Sequence, residues 1–238
     1  MNTPVVCLHG WGMRGAIFNK LGSGLFPDLP GYGDTALPED YSAAALADRM
    51  AAEAPEEIVL LGWSMGGLIA QAWAARHPQQ VSKLVLVAAT PCFQQRPDWP
   101  HGLAKGDVAA FSEGVVTDWR TTLNRFLSLQ ARGSDDARNL IVNLRAELAA
   151  GGDPRPETLA AGMRLLADTD LRDQAAHITQ STLLIHGARD GLCSLSGAQW
   201  LAGQIPNARL EVIERAAHAP FLSHPGVFNA LLMEFVDG

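Results

Sequence analysis

Three features of this 238-residue chain predict an α/β fold, a mostly parallel sheet flanked by helices and interrupted by a helical insertion. Short apolar runs at 5–8, 58–61, 84–87, 182–187 and 210–213 read as buried strands, and helical runs separate most of them. No two-residue hairpin signal joins one strand to the next, so the strands are linked by crossovers and lie parallel. From Pro97 to Thr169 the strand-like runs stop and helical ones, broken by Gly and Pro, take over. That divides the chain into a core of residues 1–96 and 170–238 and an insertion of 97–169. An insertion of this kind is placed most simply as a cap over the carboxyl edge of the sheet, where open α/β sheets bind ligands.

Bulk properties narrow the function classes. A chain of this length buries about 70–75% of its unfolded surface, enough for one substantial core. Hydrophobic content of 47% with 18% charged residues is ordinary for a globular protein. No apolar run approaches 18 residues, so no membrane span is expected. Met1-Asn2-Thr3-Pro4 leads straight into a strand with no basic segment or h-region, which makes cytoplasmic residence the expectation; a monomer is the expected state. Cys7, Cys92 and Cys193 are scattered and odd in number, against a disulfide framework or a zinc site. A net charge of −7 argues against nucleic acid as a partner.

In chain order, Val5-Val6-Cys7-Leu8 is a short buried strand ending at the glycine loop His9-Gly10-Trp11-Gly12. Leu25-Phe26-Pro27 is a strand end at most, because Pro27 cannot donate a ladder hydrogen bond. Residues 41–54 are alanine-rich with Leu46 and Met50 four apart, an amphipathic helix. The strand at 58–61 is followed by an apolar helix at 68–75 that stops before Pro78. Helices at 115–131, 135–150 and 156–167 fill the insertion, with Gly151-Gly152-Asp153-Pro154 as a break. The core resumes with a strand at 182–187, a helix at 195–204, a strand at 210–213 and a terminal helix at 225–236.

Between strand 58–61 and its helix lies Gly62-Trp63-Ser64-Met65-Gly66, a G-x-S-x-G pattern. By itself the pattern is weak, and a purely structural turn would also fit; its strand-to-helix context gives it weight. A serine in such a turn exposes its Oγ above the sheet edge, beside the free N–H groups of the helix N-terminus. It needs a base, and the base needs an orienting group. Asp190 follows strand 182–187, and His218 follows strand 210–213. Parallel strands all end at one edge, so Ser64, Asp190 and His218 converge, in the order α/β-hydrolases use. His224 precedes Pro225 and reads as a helix start; His9 holds its own loop by hydrogen bonds; His186 is buried and satisfied. Asp168 and Asp170 could replace Asp190 but lack a preceding strand. Backbone N–H groups of Trp11 and Met65 are the expected oxyanion donors. The chemistry needs neither metal nor organic cofactor.

Several segments together resemble one family. They are Leu8-His9-Gly10-Trp11-Gly12, Leu61-Gly62-Trp63-Ser64-Met65-Gly66-Gly67-Leu68, Pro91-Cys92-Phe93, Arg125-Phe126-Leu127-Ser128-Leu129-Gln130 and Ala216-Ala217-His218-Ala219-Pro220-Phe221. These are similar to the BioH family of α/β-hydrolases, the pimeloyl-[acyl-carrier protein] methyl ester esterases of biotin synthesis. The resemblance covers most of the chain. It implies a Ser64, Asp190, His218 triad, oxyanion donors at Trp11 and Met65, and an acyl site touched by Trp11, Phe126 and Gln130. The chain departs from the family at its start: the usual N-terminal strand or strands are missing, and the link from Gly12 to Asp28 is short.

Residues 119–146 carry Arg120, Arg125, Arg132, Arg138 and Arg145 against Asp135 and Asp136, and Arg138 and Arg145 share a helical face. An acidic acyl-carrier protein would be drawn to Arg120, Arg125, Arg138 and Arg145; a solvated arginine-rich helix face is the plainer alternative. The expectation is a serine carboxylesterase acting on pimeloyl-carrier-protein methyl ester, with short esters as side substrates. The alternatives are a generalist short-chain carboxylesterase and another triad enzyme, such as a C–C hydrolase, lyase or perhydrolase. A non-catalytic binding module of the same fold ranks below them.

Overall fold

The computed structural model describes residues 3–238; Met1 and Asn2, where the expected leader-free start begins, lie outside the described residues. Five strands form one parallel sheet in the order β1 (Val5–Leu8), β2 (Ile58–Trp63), β3 (Val81–Val87), β4 (Ser181–Gly187) and β5 (Ala208–Ile213). The register brings Leu8 beside Gly62, Trp63 beside Val87, and Gly187 beside Ile213, so the loops that follow the strands open at one edge.

Strand side chains alternate between two apolar layers. Leu8, Leu60, Leu84 and Leu184 pack under the helices α1 (Ala43–Glu53), α2 (Met65–Arg76) and α6 (Leu195–Gln204). Cys7, Leu61, Trp63, Val85 and Ile185 face the opposite way, against Phe18 of a 3-10 helix at Gly15–Leu21 and against α7 (Pro220–Ser223) and α8 (Pro225–Asp237). Ser42 starts α1 by accepting the Ala45 N–H on its Oγ at 3.2 Å.

Leu25 forms only a one-residue parallel bridge outside β1, giving its N–H to Val5 at 2.8 Å and taking that of Cys7 at 2.9 Å. The chain thus steps outward from β1 and then returns to β2. Open α/β sheets place their ligands where the strand order reverses in this way, here at the carboxyl ends of β1 and β2.

Between β3 and β4 run α3 (Lys105–Ala131), α4 (Ala137–Gly151) and α5 (Pro156–Asp168). The first begins ten residues earlier than the expected start at Val115. Val108, Phe111 and Val115 supply the buried stripe of that extra length at helical spacing. Helical geometry breaks at Asp118, whose Oδ1 accepts the Thr121 N–H at 3.1 Å and so restarts the helix like an N-cap. The short α7 was not expected either; it forms around Pro220 at its first position. No described helix is long and apolar enough to cross a membrane.

Candidate active site

The turn after β2 places Ser64 at φ 57° and ψ −118°, left-handed backbone that a residue with a β-carbon rarely adopts. Hydrogen bonds on both sides hold it there: Ser64 N–H to Val87 O at 3.0 Å, and Gly67 N–H to Ser64 O at 2.8 Å. Gly66 is what lets the turn close, since a β-carbon there would lie 2.2 Å from the carbonyl oxygen of Leu8. Sheet pairing, a strained turn and one missing side chain together set Ser64 at the carboxyl ends of β1 and β2.

Three side chains meet at that point. His218 Nε2 lies 2.8 Å from Ser64 Oγ, and His218 Nδ1 lies 2.8 Å from Asp190 Oδ2. The other carboxylate oxygen of Asp190 accepts the N–H groups of Leu192 and Cys193 at 2.9 and 3.0 Å. Burial works to raise this carboxyl's pKa. The His218 imidazole and its hydrogen bond, with His186 and the Leu192 amide, outweigh burial and hold it below the usual carboxylate range. Asp190 is therefore an anion that fixes the imidazole with a proton on Nδ1 and leaves Nε2 to accept from the serine hydroxyl.

The loop after β1 packs against the Ser64 turn: a β-carbon at Gly10 would lie 3.2 Å from Ser64 Cβ. Among the described residues, the backbone N–H groups of Trp11 and Met65 have no protein acceptor, and Met65 is the first residue of α2. His9 is fully buried, donating from Nδ1 to Gly10 O and accepting the Leu29 N–H on Nε2, each at 2.9 Å. Burial lowers its pKa to about 4, so it is neutral near pH 7. Tyr32 adds a support that the sequence did not signal: its hydroxyl oxygen accepts the Gly12 N–H at 3.0 Å.

The insertion is tied to this same loop. Trp11 Nε1 donates to Leu159 O at 2.9 Å, Arg14 Nη1 to Gly151 O at 2.7 Å, and Thr158 Oγ1 to Gly31 O at 2.9 Å. Phe126 packs edge-on against Trp11 at 4.8 Å between ring centroids. Gln130 is buried, its Oε1 has no partner among the described residues, and its backbone carbonyl accepts the His218 N–H at 3.1 Å. All of the expected pocket residues, Trp11, Phe126 and Gln130, thus lie on one seam with the serine group.

The arginines divide. Arg120 pairs with Asp153 and lies over the Trp119 ring, and Arg125 lies over Phe111. Arg138 and Arg145 are exposed on α4 and have no ion pair among the described residues. Asp135, just before α4, is engaged by Arg189 and Arg215.

Of the rival residues, His186 lies beside the group, its Nε2 3.6 Å from Asp190 Oδ2, and the others lie away from it. His224 sits at the start of α8, bonded to Ser223. His186 points Nε2 at Cys193 O at 2.8 Å, and burial lowers its pKa. Asp170 is engaged by Arg96 and Arg172, while Asp168 ends α5. No group of three or more His, Cys, Asp or Glu side chains is placed to hold a metal ion among the described residues.

Comparison with known proteins gives a consistent result. The family model of the alpha/beta hydrolase fold matches residues 3–225. A pimeloyl-[acyl-carrier protein] methyl ester esterase of Aromatoleum aromaticum is 41% identical over 251 residues, covering 100% of both chains. One of the same name from Aeromonas hydrophila is 40% identical, over 98% of this chain and 94% of the relative. Among solved structures, an esterase from Exiguobacterium antarcticum superposes with a TM-score of 0.88 at 29% identity, over 100% of this chain and 92% of the other. A bromoperoxidase from Bacillus anthracis, 22% identical, reaches 0.87 over 100% and 93%, a likeness of fold alone.

Proposed function

The chain belongs to the α/β-hydrolases and, within them, to the pimeloyl-[acyl-carrier protein] methyl ester esterase family, and from that premise we propose that it hydrolyses the methyl ester of a carrier-bound pimeloyl group, the step that frees this acid for biotin synthesis. The observation that carries the reading is the unbroken hydrogen-bonded line Ser64–His218–Asp190, with both links at 2.8 Å.

The mechanism follows from those contacts. Ser64 Oγ attacks the ester carbonyl carbon while its proton passes to His218 Nε2. Asp190 stabilises the resulting imidazolium. The carbonyl oxygen becomes an oxyanion beside the Trp11 and Met65 N–H groups, each donor worth about 3–4 kcal/mol in the transition state. Collapse breaks the C–O bond to the methoxy group, which leaves as methanol with the proton held by His218. Water then attacks the acyl-enzyme, giving its proton to His218, and the free carboxylic acid leaves as Ser64 regains its hydrogen.

Phe126 and Trp11 form an apolar wall suited to a methylene chain. The buried acceptor on Gln130 is available to an amide N–H of a carrier arm or to the hydrolytic water. Of the four arginines expected to meet an acidic carrier, Arg138 and Arg145 have no ion pair among the described residues, whereas Arg120 and Arg125 are already engaged inside the insertion.

Two assays test the reading. The protein should turn over p-nitrophenyl butyrate and be labelled at Ser64 by a fluorophosphonate; failure of both would leave a non-catalytic module. It should also restore growth of a biotin auxotroph lacking its methyl ester esterase, and Ser64→Ala should not. Turnover of small esters without complementation, from a well-expressed protein, would mean a generalist esterase.

A further inference from the structure

The imidazole of His218 is aligned by two side chains, but its backbone is aligned as well. Its N–H goes to Gln130 O at 3.1 Å, and its carbonyl accepts the indole N–H of Trp63 at 2.8 Å. Trp63 is the residue immediately before the nucleophile, at the end of β2, and is fully buried. Its indole packs edge-on against Phe221 at 5.1 Å between centroids and lies 5.9 Å from the His218 ring. It also rests on the loop after β1, since a β-carbon at Gly10 would lie 3.1 Å from Trp63 Cε3.

We infer that Trp63 is a positioning residue: its indole N–H clamps the base-bearing loop to the strand that carries the nucleophile, so that Ser64 and His218 keep a common reference. The physical need is plain. His218 lies on a loop after β5, four strands away from β1 and three from β2 in the sheet order, and small drifts accumulate over that distance. The separation that matters is the 2.8 Å between Nε2 and Oγ. A direct bond from residue 63 to residue 218 removes the intervening strands from the tolerance chain. Packing alone would hold the loop near; the indole donor ties its rotation to β2, because a hydrogen bond is directional and apolar contact is not.

This inference rests on the hydrolytic role given to Ser64, and its test separates the two. Trp63 is replaced by 3-benzothienylalanine, which puts sulfur in place of Nε1–H at nearly the same shape, and in a second variant by Phe. Competent molecules are counted by fluorophosphonate titration. The expected result is a fall in kcat on p-nitrophenyl butyrate of about 10- to 100-fold, the scale set by a displacement near 1 Å, with KM within twofold. The low-field proton resonance of His218 Nδ1–H should shift or broaden in both variants. An unchanged kcat and an unchanged resonance in the benzothienyl variant, with or without a lower melting temperature, would overturn the inference and leave Trp63 as core. A raised KM at constant kcat would overturn it in favour of a substrate contact. The resonance is read without turnover, so an inactive wild-type protein would defeat the esterase reading and still leave this one testable.

Discussion

Asp190→Asn tests the site with the least disturbance to the fold, and the structure says which way the amide must turn. Oδ1 of Asp190 accepts two backbone N–H groups, from Leu192 and Cys193, at 2.9 and 3.0 Å. An asparagine can satisfy both only with its carbonyl oxygen there, because an NH2 group would point its hydrogens at two donors. The NH2 is thereby forced onto the position of Oδ2, 2.8 Å from His218 Nδ1. It donates, so Nδ1 must accept, and the imidazole proton moves to Nε2. That proton now points at Ser64 Oγ, and the base is lost while every heavy atom stays in place. The same exchange in serine proteases lowers kcat on the order of 10⁴-fold, equivalent to about 5.5 kcal/mol of barrier at about 1.4 kcal/mol per decade. Folding should change little, since both amide bonds to the loop survive. Asp190→Ala, by contrast, strands the two N–H groups in a buried site at about 1–3 kcal/mol each. Steady-state hydrolysis of p-nitrophenyl butyrate, normalised by melting temperature and far-UV dichroism, measures both effects. An Asn variant within tenfold of the wild-type kcat would refute the argument.

Three further outcomes follow from particular contacts. His9 has a pKa lowered from 6.5 to about 4 by burial; the unfolded chain therefore binds the proton first, and stability is full above pH 6.5 and falls as pH drops toward 4. At about 1.4 kcal/mol per pKa unit the loss from His9 alone is about 3 kcal/mol, and a urea midpoint that stays flat between pH 6.5 and 4.5 would exclude it. Tyr32→Phe removes the acceptor of the Gly12 N–H next to Trp11 and should lower kcat about tenfold at unchanged KM, on the scale of one misaligned oxyanion donor; a rise in KM alone would mean that Tyr32 touches substrate instead. Reversing Arg138 and Arg145 to Glu should weaken action on the carrier-linked ester several-fold, more at low salt, while sparing p-nitrophenyl butyrate; equal loss on both substrates would end the docking role.

Much of this architecture is legible in the sequence because its signals are local. Apolar runs of strand length, the Gly-x-Ser-x-Gly turn and a Pro at the start of α5 and of α8 each act within a few residues. The order of Ser64, Asp190 and His218 is legible for a different reason: a parallel sheet sends every strand's end to one edge, so a topological rule replaces distance information. Where the chain was harder to read, a local signal misled. The stretch before Val115 contains Gly106 and Gly114, which weaken a helical pattern, yet α3 runs through both because Val108 and Phe111 are buried by tertiary contacts. The bridge at Leu25 shows the opposite: Pro27 ends the strand as expected, and a single residue is all that remains of pairing outside β1.

The features that sequence could not reveal are the ones that set the alignment of the site. The resemblance implies Gln130 at the acyl site, but what reaches His218 is its backbone carbonyl, which accepts the His218 backbone N–H, and Leu159 likewise meets the Trp11 indole through its carbonyl. A carbonyl has no sequence signature, since every residue type carries one. What sequence can register is the space such contacts require. A β-carbon at Gly162 of α5 would stand 2.6 Å from Trp11 Cδ1 and 3.2 Å from the Met65 sulfur, between the two residues proposed as oxyanion donors. Helix α5 therefore reaches the loop after β1 only because position 162 has no side chain. The insertion is then more than a cover: by carbonyl bonds to Trp11 and His218, it holds an oxyanion-loop residue and the base at once. A rigid-body lift of these helices would break both contacts together, so a lid motion in this protein has to couple access for substrate to assembly of the catalytic group.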